Sequence, residues 1–401
     1  MSQNPLISVI IPIYNVEKYL KECLDSVTQQ SLHDIEIICI NDGSSDACGE
    51  ILESYAQSDK RIIAIHKANE GVGKARNKAL RIAKGEFVCF IDPDDFYPTL
   101  QTLEALYHAA RQNQALICGG CFSDYQNGVI NTDFDEMLFG YTFKQNGFIE
   151  YRDYQFDFGF TRFIYQRTFL LDNNIFHPHY TRYEDPVFFV KAMIAAKRFY
   201  AIAEITYCYR IGHQKNLLAW SETQWSDQNK GLLDVLCLAK SYQLENLYNL
   251  TLARGYSIAT ELTDAICAGG GSIFSLCKLN RILSAKGKEI YTLSKTNDNA
   301  LSLHFEHIHT SLKYLNTLLH SPLQLFVLIL KFYAKKSKSY FRVRLFREHS
   351  LIKLFGITFY ESYTMKDSRG GGGHNVVFYA FILKYLRVIE RFSHSLYVRV
   401  A

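Results

Sequence analysis

The sequence predicts an α/β protein, with a mostly parallel sheet flanked by helices and a mainly helical C-terminal region. Three observations carry this. Over residues 6–120, short apolar runs alternate with amphipathic segments, as repeated βα units require. The runs are nearly unbroken in Ile, Val and Phe, which suits strands covered on both faces. Polar turn residues follow the strands at residues 15, 41–46 and 92–95, and the carboxyl ends of strands are where open α/β sheets place ligands.

Residues 6–14 read as the first strand. Val16, Leu20, Cys23, Leu24 and Val27 then recur at helical spacing. Residues 35–40 form a second strand, followed by a helix carrying Ile51, Leu52 and Tyr55. Residues 62–66 form a third, followed by a helix over 75–83, and residues 87–91 a fourth. Residues 115–120 read as a further strand. From about 139 to 165 the pattern breaks into a loop-rich stretch dense in Phe and Tyr. It suits either a platform that stacks on sugar faces or a satellite core beneath a long loop. Helical patterns dominate from 226 to 345, with a break at Gly269-Gly270-Gly271. Gly370–Gly373 reads as a flexible joint. The expected division is a catalytic domain over 1–225, a helical domain over 226–347 and a small extension over 348–401.

Bulk properties narrow the function. The chain has 401 residues, and its formal net charge of +4 is too small for a general nucleic-acid binder. Its ten cysteines sit mostly in apolar runs, as reduced thiols in a cytosolic protein do. Cys118-Gly119-Gly120-Cys121 lacks a second pair at zinc-finger spacing and reads as structural. No signal peptide is evident, and no apolar run approaches the roughly 20 residues of a membrane span. A short apolar run at 325–330 leads into Lys331, Lys335, Lys336, Lys338, Arg342, Arg344 and Arg347, with aromatic residues between. That pattern fits an interfacial helix on an anionic membrane surface, or a basic helix packed on the catalytic domain.

Asp92-Pro93-Asp94-Asp95 closes the fourth strand. Carboxylates one residue apart there can hold a divalent cation that neutralises a diphosphate; the plainer reading is a solvated acidic turn. Gly71-Val72-Gly73 does not make a dinucleotide fingerprint, because position 76 is Arg and the segment follows the third strand.

With Ile11-Pro12-Ile13-Tyr14-Asn15, Asn41-Asp42-Gly43-Ser44-Ser45-Asp46, Asn69-Glu70-Gly71, Ala75-Arg76-Asn77 and the acidic turn in order, about residues 6–215 resemble glycosyltransferase family 2, inverting enzymes of the GT-A fold. Tyr183-Glu184-Asp185-Pro186 and Tyr207-Cys208-Tyr209-Arg210-Ile211-Gly212-His213 resemble that family's later motifs. The resemblance implies transfer from a nucleotide-diphosphate sugar, with UDP expected, and Mg²⁺ or Mn²⁺ as cofactor. It implies donor contacts at Pro12, Tyr14, Asp42, Asn69, Arg76, Asp92 and Arg210. Asp94 and His213 become metal ligands, Glu184 an acceptor contact and Asp185 the catalytic base. Arg76 has an alternative as a salt-bridge partner of Asp92, and Asp46 reads as a helix cap. The implied acceptor is a glycan or lipid-linked glycan in surface-polysaccharide synthesis, such as lipopolysaccharide or capsule. The implied location is cytoplasmic, peripheral on the inner membrane face. A degenerate sugar-binding scaffold on the same fold is the alternative. Nucleotidyl transfer is disfavoured, since it expects a Gly-rich loop where Pro12-Ile13-Tyr14-Asn15 stands.

Overall fold

In a computed structural model, the structure describes residues 4–126, 128–131, 142–212 and 220–267, with scattered positions from 275 to 283. The basic segment at 331–347, the Gly-rich joint and the 348–401 extension lie outside the described residues. The N-terminal part runs β1 (Ile7–Ile13), α1 (Glu17–Thr28), β2 (Ile35–Asn41), α2 (Cys48–Ser58), β3 (Ile62–His66), α3 (Val72–Ile82) and β4 (Phe87–Phe90). There follow α4 (Thr102–Gln112), β5 (Ile117–Gln126), β6 (Val129–Asn131), β7 (Gly147–Glu150) and the short α5 (Tyr151–Tyr154). A 3₁₀ turn (Phe160–Arg162) leads into β8 (Phe163–Gln166) and α6 (Arg167–Asp172). Last come α7 (Glu184–Ala196), β9 (Arg198–Arg210), α8 (Glu222–Ser241) and α9 (Glu245–Cys267).

The strands form one sheet in the order β3-β2-β1-β4-β8-β5-β9-β7, with β6 on β5. The β3-β2-β1-β4 half is parallel. β8 enters antiparallel between β4 and β5, and β7 pairs antiparallel with β9. The α/β sheet flanked by helices is the expected one: its parallel half coincides with the βα repeat, and beyond that repeat the sheet is mixed, with β8 antiparallel to both neighbours and β9 parallel to β5.

Side chains alternate between the sheet's two faces. Ile10, Ile38, Ile40, Val88 and Phe90 pack with α3, α7 and α8, while Ile7, Val9, Ile11, Ile37 and Cys39 pack with α1, α2 and α4. α1 and α2 cap one another, since Glu17 N donates to Asp46 Oδ2 (3.0 Å) and Ala47 N to Glu17 Oε2 (2.8 Å). Asp46 Oδ1 also accepts from Cys48 N, which is the capping role the sequence predicts. α8 begins in a capping box formed by Ser221 and Gln224. It runs across position 225 and buries Trp225, Leu232 and Leu236 in the same core as the sheet.

The aromatic stretch resolves mainly as core. Phe143, Tyr151, Phe160, Phe163 and Tyr165 are buried among Phe90, Phe188 and Phe199, while Phe139 and Tyr141 lie outside the described residues. The sugar-stacking alternative therefore fails for these five rings. Cys118 and Cys121 are buried free thiols in β5. Of the two glycines between them, Gly119 lets the Phe163 ring close on the strand, since a Cβ there would lie 2.1 Å from that ring. Among the described residues no helix is long and apolar enough to cross a membrane.

Candidate active site

The order β2-β1-β4 puts a topological switch point between β1 and β4, and the polar turns after β1, β2 and β4 open on the same edge. Asp92 to Asp95 form a tight turn past β4, closed by Asp95 N donating to Asp92 O (3.0 Å). Asp95 is almost wholly buried. Its Oδ2 accepts from the Tyr207 hydroxyl (2.7 Å) and its Oδ1 from Arg210 N (2.8 Å). The same hydroxyl accepts from Asp92 N at 3.1 Å. Burial, with Asp94 and Asp92 nearby, pushes the Asp95 carboxyl well above the usual range. Burial and these carboxylates also keep the Tyr207 phenol protonated, and hence a donor. β9 thus holds the turn from beneath. In the sequence Tyr207 stands out only as part of a late motif, because its role depends on a strand remote from Asp95 in the chain.

Arg210 Nε donates to the Asp94 carbonyl (2.9 Å), and its guanidinium meets Glu22 at 2.5 Å. The rings of Tyr125, Tyr19 and Phe96 surround it, the nearest centroid 4.8 Å away. In this structure Arg210 fastens the acidic turn to α1.

Arg76, near the start of α3, is buried and bridges the two acidic motifs. One amino group donates to Asp92 Oδ1 (2.6 Å), the other to Glu184 Oε1 (2.9 Å). Its guanidinium also lies 4.9 Å over the Phe160 ring. Burial acts to lower the Arg76 pKa, but Asp92, Glu184 and Asp185 outweigh it and keep the group charged. The salt-bridge alternative for Arg76 is therefore the arrangement observed. Glu184, expected to face an acceptor, is buried as the partner of that guanidinium. Burial raises the Asp92 carboxyl, with Arg76 opposing and Asp94 adding to the rise.

Asp185 stands in the first turn of α7, beside Glu184. Burial chiefly, then the Glu184 charge, pushes its carboxyl up to about 7; Arg76 opposes this and Asp92 adds to it. A helix N-terminus favours the ionised form, yet desolvation and like charge win here. A carboxyl poised near neutrality accepts and releases a proton readily. The residue before the pair, Tyr183, starts α7 in the left-handed region (φ 62°).

The turn after β2 is held by its own chain. Asp42 is buried, with Oδ1 accepting from Lys67 Nζ and Glu70 N (3.0 Å) and Oδ2 from Gly71 N (2.8 Å). Asp42 thereby shapes the 67–71 loop, on which Asn69 is exposed. Lys67 carries no signal in the sequence, because it lies one residue past β3 and outside the Asn69-Glu70-Gly71 motif. Asn15 ties β1 to this turn, its Oδ1 accepting from Ser45 N at 2.8 Å. Tyr14 is exposed beside it, and Pro12 is buried within β1. The Ile10 carbonyl accepts from Ile91 N (3.1 Å), and Pro12 follows the last β1 residue paired with β4, so its missing N–H leaves that ladder intact. His213 lies outside the described residues.

Among the described residues no three His, Cys, Asp or Glu side chains converge as a metal site. The turn offers two half-buried carboxylates, Asp92 and Asp94. Burial first, and then the neighbouring carboxylates, raise the Asp92 and Asp95 carboxyls, so the turn gathers acidic oxygens close together. That oxygen donor chemistry fits a hard divalent cation.

Comparison with known proteins points the same way. Residues 8–177 match the family model described as glycosyl transferase family 2. The uncharacterized glycosyltransferase EpsJ of Bacillus subtilis (strain 168) is 48% identical over 115 residues, 29% of this chain and 33% of its own. The poly(ribitol-phosphate) beta-glucosyltransferase of Bacillus spizizenii (strain ATCC 23059 / NRRL B-14472 / W23) is 28% identical over 251 residues, covering 61% of this chain and 38% of its own. The chain thus spans about a third of the length of these curated relatives. The crystal structure of S. aureus TarS 1-349 in complex with UDP-GlcNAc aligns with a TM-score of 0.54 at 21% identity, covering 73% of this chain and 93% of that one. At that identity it shows a shared fold, the GT-A architecture.

Proposed function

Since residues 8–177 match the model of glycosyl transferase family 2, we propose that the chain is an inverting glycosyltransferase that uses a nucleotide-diphosphate sugar. The observation that carries this reading is Asp185, a carboxyl raised to about 7 and joined through Glu184, Arg76 and Asp92 to the acidic turn after β4. Its two halves are those a displacement at an anomeric carbon needs: a base near neutrality, and a negatively charged edge that suits a cation-bound diphosphate.

An acceptor hydroxyl gives its proton to Asp185 as its oxygen bonds to the anomeric carbon. The bond from that carbon to the diphosphate oxygen breaks in line, its electron pair leaving with the nucleotide diphosphate, so configuration inverts. Asp94 and Asp92 would hold a Mg²⁺ or Mn²⁺ ion, which supplies Lewis-acid stabilisation of the leaving diphosphate. Tyr207 and Arg210 keep the acidic turn in place. Arg76 holds Asp92 and Glu184 at a fixed separation, a positioning role in place of the diphosphate contact expected from the motif. The solvent-facing edge of the β1 and β2 turns, with Tyr14, Asn69 and the Asp42-anchored loop, receives the nucleoside.

UDP is the proposed nucleotide, supported by the UDP-GlcNAc complex of the structural neighbour. The proposed acceptor is a hydroxyl of a bacterial surface polysaccharide, lipid-linked or free. Relatives described as poly(ribitol-phosphate) transferases add wall polymers to lipopolysaccharide and capsule as destinations. Purified protein is to be screened against nucleotide sugars with and without Mn²⁺. Asp185→Asn is expected to bind donor normally and lose on the order of 10²–10⁴ in transfer rate. A product of retained anomeric configuration would overturn the mechanism. Absence of turnover with every donor would leave the sugar-binding scaffold.

A further inference from the structure

We infer that the two helices beyond the family-matched segment position the catalytic base: Gly231 of α8 and the Arg254–Asp157 pair, whose arginine comes from α9, hold Tyr183 in the left-handed turn that launches Glu184 and Asp185. The inference rests on the assignment of Asp185 as base. Tyr183 has φ 62° and ψ 21°, a region that a bulky side chain occupies only when its surroundings over-determine it. Three contacts do so. A Cβ on Gly231 would lie 2.7 Å from the Tyr183 carbonyl oxygen and 2.8 Å from its Cβ, so only glycine lets α8 come this close. The Tyr183 ring stands edge-on to Phe158, with centroids 6.1 Å apart, and its hydroxyl reaches Asp157 Oδ2 at 3.5 Å. The other oxygen of Asp157, a carboxylate with no exposed surface, takes the Arg254 guanidinium, which also lies 4.0 Å over the Phe158 ring.

The residues leading into the turn are tied to the same helix. Asp227 of α8 accepts from Thr181 N and Thr181 Oγ1, both at 3.0 Å, and Asp234 accepts from the Tyr180 hydroxyl at 2.9 Å. The loop that delivers the base is thus braced by α8 and α9 in addition to its ties to Arg76 and Asn77 of α3, while the acidic turn is held by Arg76 and by Tyr207 and Arg210 of β9. Because those ties to the acidic turn involve neither helix, loosening α8 and α9 should harm transfer and spare donor binding.

The test is the paired variant Asp157→Asn/Arg254→Met, which removes both buried charges together and leaves no orphaned one. It should melt cooperatively, keep the donor KM, and lose about 10–10²-fold in kcat through misplacement of the base. Hydrogen exchange gives a readout that needs no activity: amides 183–190 should exchange faster, and amides 87–97 should not change. If the pair fails to fold, Gly231→Ala is read the same way. Unchanged exchange at 183–190 overturns the inference whatever the rate. So does a wild-type kcat, or a loss confined to donor KM, in an otherwise active series. Faster exchange in a protein whose wild type transfers no sugar supports the inference about the turn and overturns the catalytic reading instead.

Discussion

The position of Asp185 makes a quantitative demand on pH. The residue serves as a base only when ionised, and its carboxyl is raised to about 7, first by burial and then by the Glu184 charge. On that value kcat/KM should rise about tenfold per pH unit on the acid side and level off above neutrality, reporting the acidic cluster as a whole. Glu184→Gln deletes a repelling charge, so the acid limb should move to lower pH. The same shift predicts a stability effect of opposite sense. Between the ordinary 3.8 and about 7, the folded chain keeps a proton that the unfolded chain has lost, so stability falls as pH rises through that window. Each tenfold change in proton affinity is worth about 1.4 kcal/mol, which caps the loss near 4 kcal/mol before screening at the half-buried rim reduces it. Asp185→Asn removes the charge and should melt higher than wild type at about pH 8, yet transfer little sugar. The assays are a pH–rate profile with the matched donor and thermal melts at several pH values. An acid limb lying near the ordinary carboxylate range, or an Asp185→Asn protein less stable above neutrality, would refute the reasoning.

The remaining expectations concern the metal and the membrane. Asp94→Asn should abolish metal-dependent UDP binding and leave the fold intact, because this half-buried side chain sits on a turn beyond a strand end; calorimetry with Mn²⁺ and UDP checks it, and unchanged affinity would remove Asp94 as a ligand. The basic segment at 331–347 should carry the protein up with anionic vesicles at low salt, each basic residue contributing about 1 kcal/mol. Failure to float under those conditions would favour the alternative of a helix packed on the catalytic domain.

The parallel half of the fold follows from local pattern. Strands buried on both faces must be continuously apolar, and their connecting helices must show an apolar stripe, so β1 to β4 and α1 to α3 are visible in the sequence alone. The acidic turn and the Glu184-Asp185 pair were legible for another reason: each alone reads as an ordinary turn or helix cap, and only their order among the other motifs of the resemblance marks them. Pairing was not legible. Whether β8 runs parallel or antiparallel depends on the route of a loop, and an aromatic stretch looks alike in a platform and in a core. Nor could spacing show that Arg76 spans Asp92 and Glu184, since Glu184 lies 108 residues further along the chain. Tyr207 beneath Asp95 and Lys67 on Asp42 belong to the same class of contact. Composition and periodicity determined which segments could carry charge to the sheet edge. Only tertiary structure decided which of those charges neutralise one another, because desolvation and distance are properties of the packed chain and not of its order.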